Sequence, residues 1–219
     1  MKKVLILALA LGATSTFAQK GKWVKLFDGK TTNGWHSWHS AEVKGWHVMN
    51  GVLMTHGGSG DLVTDKEYEN FELEFDFKAA PKGNSGVIYK VIEKPEFGAT
   101  YTSGPEYQII DDKGYPSPIK DTQKTAANYD MQPANDLNIV KPAGQWNKGK
   151  IIVKDGHVEH WLNGEKVVEY EYGSTDWIAM VAKSKFANWE YANAHAKGKI
   201  ALQDHGDMVS FRNMRIREL

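Results

Sequence analysis

Along this chain apolar and polar residues alternate in short runs instead of recurring every three or four positions. Residues 71–77, Phe-Glu-Leu-Glu-Phe-Asp-Phe, alternate without a break, the pattern of a strand with one buried face. Comparable runs at 46–54, 86–92, 106–110, 149–154, 157–162, 166–172, 199–203 and 208–217 predict further strands. Turn signals punctuate them: Asn50-Gly51, Gly57-Gly58, Lys82-Gly83-Asn84, Asp155-Gly156 and Asn163-Gly164. Asn-Gly and Asp-Gly favour tight hairpins because both central residues tolerate positive φ, so residues 149–172 are predicted to form a three-stranded meander. No long amphipathic helix is predicted, and residues 188–196 are expected to supply one or two turns at most. Many antiparallel strands without long helices predict an all-β sandwich or barrel. Residues 98–145 hold five of the seven prolines. They are expected to form long loops around one strand, and loops on a β scaffold are where sites are usually built.

The N-terminus breaks this pattern. Lys2 and Lys3 precede an apolar run from Val4 to Ala13, and small residues at Thr16 and Ala18 precede Gln19. That layout predicts a secretory signal peptide, residues 1–18, cleaved after Ala18, and a single domain over residues 19–219 in the periplasm or beyond. The apolar run is too short to span a bilayer, and no other stretch is long enough to predict a membrane association. The precursor balances 27 Lys and Arg against 27 Asp and Glu, so no basic excess exists for binding nucleic acid through its phosphates. Without Lys2 and Lys3, 25 positive charges face 27 negative ones. The absence of cysteine excludes disulfides, thiolate metal sites and cysteine nucleophiles. Eight Trp, nine Tyr and eight Phe can instead supply an aromatic core.

Strand parity selects candidate chemistry. On the 106–110 strand Tyr107 and Ile109 share the apolar face, leaving Glu106 and Gln108 on the other with Ile110. Ile200 and Leu202 likewise oppose Ala201, Gln203 and His205, while Val87 and Tyr89 oppose Ile88 and Lys90. If the open faces belong to one sheet, they gather Lys90, Glu106, Gln108, Gln203 and His205, a set suited to acid–base work on a sugar. Half of most sandwich strands shows such a solvated polar face with no further role. Trp35-His36-Ser37-Trp38-His39 could form a metal site or an aromatic platform, but it has no acidic neighbours in sequence. Asp111-Asp112 could bind calcium, but reads better as the start of a turn. His157 and His160 fall in a hairpin and are expected to be exposed.

These elements carry a resemblance. Leu26-Phe27-Asp28-Gly29-Lys30, Trp46-x-Val48-x-Asn50-Gly51-Val52-Leu53, Gly60-Asp61-Leu62-Val63-Thr64 and Asn84-Ser85-Gly86-Val87 appear in order. They are followed by Glu106-Tyr107-Gln108-Ile109-Ile110-Asp111, Ala127-Asn128-Tyr129-Asp130, Trp161-Leu162-Asn163-Gly164 and the run from Gly198 to Gly206. In these motifs the chain resembles the 3-keto-disaccharide hydrolase domain family nearly end to end. The resemblance implies a concanavalin A-like jelly-roll β-sandwich of two antiparallel sheets. It implies action on carbohydrate glycosides already oxidised at C3 by a separate oxidoreductase. It also maps the family motifs onto Glu106, Gln108, Asp111, Gln203, Asp204 and His205. Relatives often carry Arg where this chain has Lys90, so a cation is kept while bidentate recognition is lost.

A ketone at C3 acidifies the C2 proton, and its removal would expel the C1 substituent by β-elimination, after which water could add. Either His205 or Glu106 would be the base, with the other as acid. Lys90, Gln108 or a bound divalent ion would stabilise the enolate, and Asp111, Gln203, Tyr129 and Trp38 would contact the sugar. The rival readings are a non-catalytic carbohydrate-binding module on the same scaffold and a conventional glycoside hydrolase. The opposite parity of Glu106 and Asp111 argues against the latter.

Overall fold

The computed structural model describes residues 21–219, so the expected signal peptide lies outside the described residues. The strands are β1 (Val24–Lys25), β2 (Trp35–Ser37), β3 (Trp46–Met49), β4 (Val52–Thr55), β5 (Leu62–Thr64), β6 (Phe71–Ala79) and β7 (Asn84–Val91). They continue with β8 (Glu106–Ile110), β9 (Asn147–Lys154), β10 (His157–Leu162), β11 (Glu165–Glu171), β12 (Lys199–Leu202) and β13 (Val209–Glu218). One short helix, α1 (Thr175–Val181), is capped by Ser174, whose Oγ accepts from the Trp177 amide. No helix among the described residues is long and apolar enough to cross a membrane.

The strands form two antiparallel sheets, the expected all-β sandwich. One runs β11-β10-β9-β6-β13-β4-β3 with β1 added against β13, and the other runs β2-β5-β12-β7-β8. The meander over β9, β10 and β11 is present. Residues 46–54 are two strands, because Asn50 and Gly51 both take positive φ and turn the chain into a hairpin.

The alternation of β6 sends Phe71, Leu73, Phe75 and Phe77 between the sheets, where they meet Val87, Tyr89, Tyr107 and Ile109. Phe75 and Phe77 contact the Tyr107 ring at 5.4 and 6.1 Å, edge to face, worth about 0.5–1.5 kcal/mol per pair beyond the buried area. The outward acids of β6 are paired as well: Glu72 with Arg217, Glu74 with Arg215, and Asp76 with Arg212.

His160 is fully buried, contrary to the expectation of an exposed hairpin histidine. It shares the inward parity of Val158 and Leu162. Its Nδ1 donates to the Ala126 carbonyl at 2.9 Å, so Nε2 accepts from the Tyr89 hydroxyl at 2.8 Å, which accepts from Tyr170 at 2.6 Å. Burial lowers the His160 pKa to about 4, keeping it neutral within this chain of bonds.

β7 contains a bulge. Lys199 pairs with Val91 but Ala201 pairs with Ile88, and Lys90 takes φ 59°. Ile88 and Val91 consequently lie on the same outward patch while Tyr89 points into the core.

Candidate active site

The outward face of the five-stranded sheet is divided. At one end Val63, Ile88, Val91 and Ala201 form an apolar patch covered by Trp38. At the other, Gly86 lies opposite Gln108, Ile88 lies opposite Glu106, and the Gln203 amide donates to the Gly86 carbonyl at 2.9 Å. This register places Asn84, Glu106, Gln108 and Gln203 on the floor of a pocket of about 260 Å³, with His205 at its edge. Its walls come from loops: Tyr101, Tyr129, and the segment carrying Lys185, Phe186 and Trp189. Tyr101 pairs with Trp189 at 5.9 Å and Trp189 packs edge-on against Phe186 at 5.3 Å. Aromatic walls over a polar floor suit a sugar, whose C–H faces are apolar and whose edges are hydroxylated.

A larger cleft of about 670 Å³ opens on the other sheet. There Glu74 binds Arg215, Asp76 binds Arg212 and Asn213, and Lys150 lies 3.9 Å over the Trp161 ring. Its carboxylates Glu74 and Asp76 are already paired, whereas the smaller pocket holds a buried carboxyl beside unpaired amides, so the smaller pocket is the better candidate for chemistry.

Glu106 has a distinctive environment. It is 6% exposed, and its carboxyl rests where Gly86 has no side chain. Burial pushes its pKa up to about 8; Asp61 adds to the rise and Lys185 opposes it. The carboxyl is therefore largely protonated at neutral pH, a state able to donate a proton. Asp61 is itself raised by burial, although the Thr100 hydroxyl and the Asp204 amide, at 2.9 Å, donate to its carboxylate. In the sequence Asp61 stands out only as part of the Gly60-Asp61 motif, because its influence on Glu106 depends on the packing of the loop before β5.

Of the residues selected from the sequence, Glu106, Gln108, Tyr129, Gln203 and His205 meet at the pocket. Gln108 is occupied by its own surroundings: Nε2 donates to the Gln123 carbonyl at 3.2 Å and Oε1 accepts from the Ile109 amide at 3.0 Å. His205 is exposed.

Four residues singled out in the sequence lie elsewhere. Parity placed Lys90 on this face, but the bulge carries it away, and its ammonium donates to the carbonyls of Glu69, at 2.8 Å, and Ala196. Burial lowers the Lys90 pKa to about 8. Asp111 closes a turn, accepting from the amides of Lys82 at 2.8 Å and Gly114 at 3.0 Å. Burial would raise its pKa, but these backbone donors outweigh it and the net shift is downward. Trp38 covers the apolar patch. Asp204 anchors the glycine-rich loop, accepting from the amides of Gly58 at 3.0 Å and Ser59 at 2.6 Å.

Five lining residues carried no selection from the sequence: Tyr101, Phe186 and Trp189 of the walls, and the polar pair Lys185 and Asn84. Lys185 supplies the cation expected from Lys90, lying 4.3 Å over the Tyr129 ring and 3.3 Å from Asp130. It arrives on a loop without periodicity, which left no signal. Asn84 shares the parity of Gly86 and Ile88, but in the sequence it stands just before the predicted strand, in a turn signal and at the head of a family motif, so parity does not select it.

For a divalent ion, the described residues offer one cluster of three imidazole or carboxylate donors, His157, Glu159 and Glu169 on the β10–β11 hairpin. Lys166 already binds both carboxylates there. The pocket brings no such trio together, so no step is assigned to a metal. His36, which appeared to lack acidic neighbours in sequence, sits between Asp65 at 2.6 Å and Glu93 at 2.9 Å, with Lys199 also binding Glu93 at 2.6 Å.

Residues 22–217 match the model of the 3-keto-alpha-glucoside-1,2-lyase-like domain. The chain is 36% identical to a 3-keto-disaccharide hydrolase of Bacteroides thetaiotaomicron, an alignment covering 90% of this chain and 78% of that protein. Crystal structures of two Parabacteroides distasonis ATCC 8503 proteins provisionally assigned as glycosyl hydrolases are also similar. One superposes with a TM-score of 0.86 at 41% identity, covering 91% of this chain and 94% of the other. The second gives 0.70 at 31% identity, covering 90% and 100%. A nearly full-length match of family model, sequence and fold establishes that this chain belongs to the 3-keto-alpha-glucoside-1,2-lyase-like family.

Proposed function

We propose that this protein cleaves the glycosidic bond of sugars bearing a ketone at C3, with Glu106 as the acid and His205 as the base. The observation that carries this reading is a carboxyl buried in the space left by Gly86, which burial pushes toward its protonated form, in a sugar-sized pocket beside an exposed imidazole. The names of the relatives point the same way.

The chemistry follows from the ketone. His205 takes the C2 proton, and the C2–H electron pair passes into a C2=C3 enolate with charge on the C3 oxygen. As the carbonyl re-forms, a C1=C2 double bond forms, the C1–O bond breaks and the departing oxygen takes the Glu106 proton. Water then adds across C1=C2: its hydroxyl joins C1, its proton restores Glu106, and His205 returns a proton to C2. The sum is hydrolysis. No oxocarbenium ion is needed, so no pair of carboxylates has to flank C1. Lys185 favours the negative charge that appears on Glu106 after donation. An alcohol-oxidising enzyme acting at C3 must supply the substrate, and the signal peptide would place the reaction in the periplasm or outside the cell.

The test is to incubate purified protein with a 3-keto-glucoside and with its unoxidised parent in ¹⁸O-water, and to identify products by mass spectrometry. Cleavage of the oxidised substrate alone, with label at C1 and loss of turnover in Glu106→Gln, is expected. Cleavage of both would indicate a conventional hydrolase. Binding without cleavage would indicate a carbohydrate-binding module.

A further inference from the structure

Asn84 and Gln203 are 8% and 6% exposed and occupy the same pocket floor. Asn84 Oδ1 and Gln203 Oε1 are enclosed by protein and receive no hydrogen bond. An enclosed acceptor without a donor is destabilising, and such a group calls for a functional explanation. The amide nitrogens are not enclosed, and no described residue accepts from them. Each of these pocket-lining side chains therefore keeps N–H donors unpaired among the described residues.

The two are diagonal neighbours. Gln203 lies opposite Gly86 and Asn84 is two positions along β7 from Gly86, on the same face. Diagonal residues on antiparallel strands are about 7–8 Å apart, close enough for two amide side chains to converge on one atom. Both backbones are fixed: the Asn84 amide donates to Asp207 at 3.1 Å, and the Ser85 hydroxyl donates to the Gln203 carbonyl at 2.8 Å. Donors held in place before the reaction are what a developing oxyanion requires, since no reorganisation is needed as the charge appears.

We propose that Asn84 and Gln203 form a paired N–H site for the C3 oxygen of the substrate, binding it as a ketone and more strongly as an enolate. This inference rests on the 3-keto reading and assigns its electrophilic site to neutral amides, with Lys185 serving the acid. An enolate gains most from two donors, so the pair contributes chiefly to kcat.

The test separates enolisation from cleavage. A 3-keto-1,5-anhydrosugar has no exocyclic leaving group at C1, and exchange of its C2 proton in D₂O can be followed by NMR. Asn84→Asp and Gln203→Glu keep the side-chain shape without the N–H donors, and Asn84→Ala guards against an effect of the new charge. Each is expected to slow C2 exchange and cleavage of a 3-keto-glucoside about 100-fold, with KM within a few-fold and the melting temperature retained. Wild-type exchange rates in folded variants, or a rise in KM alone, would overturn the donor pair and leave the 3-keto reading standing. A wild-type protein that neither exchanges nor cleaves would remove both.

Discussion

A methyl group on Gly86 would stand 2.2 Å from Oε1 of Glu106 and 2.7 Å from its carboxyl carbon. The missing side chain on β7 is thus the seat of the carboxyl on β8. The prediction for Gly86→Ala is a displaced Glu106, a fall in kcat/KM of at least about tenfold, and a stability loss of about 1–3 kcal/mol from overpacking. Steady-state kinetics and denaturant melts on the same preparation check it. Unchanged turnover would mean that the seat is not needed for catalysis.

Glu106 also makes stability depend on pH. Its folded pKa of about 8 lies above the ordinary 4.5, so the folded state binds the extra proton. Stability from this group is fully present below about pH 4.5 and falls as pH rises toward 8, where the loss levels off. Each pKa unit is worth about 1.4 kcal/mol, so the loss is on the order of a few kcal/mol. Glu106→Gln is expected to gain stability relative to wild type between pH 5 and pH 9, as urea melts at the two pH values would show. Parallel pH curves for the two proteins would contradict an ordinary acid becoming buried here.

Two lysines should separate by phenotype. Lys90→Met removes the donor to the Glu69 and Ala196 carbonyls and is expected to cost about 1–3 kcal/mol, with kcat nearly unchanged. Lys185→Met removes the cation above Tyr129 and is expected to lower kcat about tenfold with little change in melting temperature. Thermal melts and kinetics on both variants test the pair, and reversed phenotypes would refute the placement of charge at this site.

At the far end of the sheet, Glu93 gives stability with the opposite pH dependence. Burial would raise its pKa, but hydrogen bonds from Lys199, His36 and the His39 amide outweigh this and lower it to about 2. Its contribution is present above the ordinary value of 4.5 and is lost as pH falls toward 2. Acid unfolding of Glu93→Gln should be less steep over that interval than that of wild type, as followed by circular dichroism.

Wherever two-residue periodicity holds, the sequence already contains the site. Glu106, Gln108 and Gln203 are separated from Tyr107, Ile109 and Leu202 by parity alone, and the structure keeps that separation. Parity fails at Lys90 because one inserted residue shifts the alternation, and nothing local marks the insertion. The walls are less legible for another reason. Tyr101, Lys185, Phe186 and Trp189 lie on loops whose positions follow from tertiary packing, and the helix α1 is too short to show a period. His160 and Asn84 have the parity of the core and of the pocket floor respectively, but the hairpin and turn signals beside them mask it.

The shift at Lys90 also divides β7 into two lengths with independent phases. Asn84 lines the pocket and Gly86 seats the Glu106 carboxyl, while Ile88 on the same phase and the rephased Val91 both serve the patch under Trp38. Substitutions that remodel the apolar end can therefore accumulate without altering which side chains face the reacting sugar. Removing the inserted residue would couple the two ends, and a change of packing beneath Trp38 would then be transmitted along the strand to the chemistry.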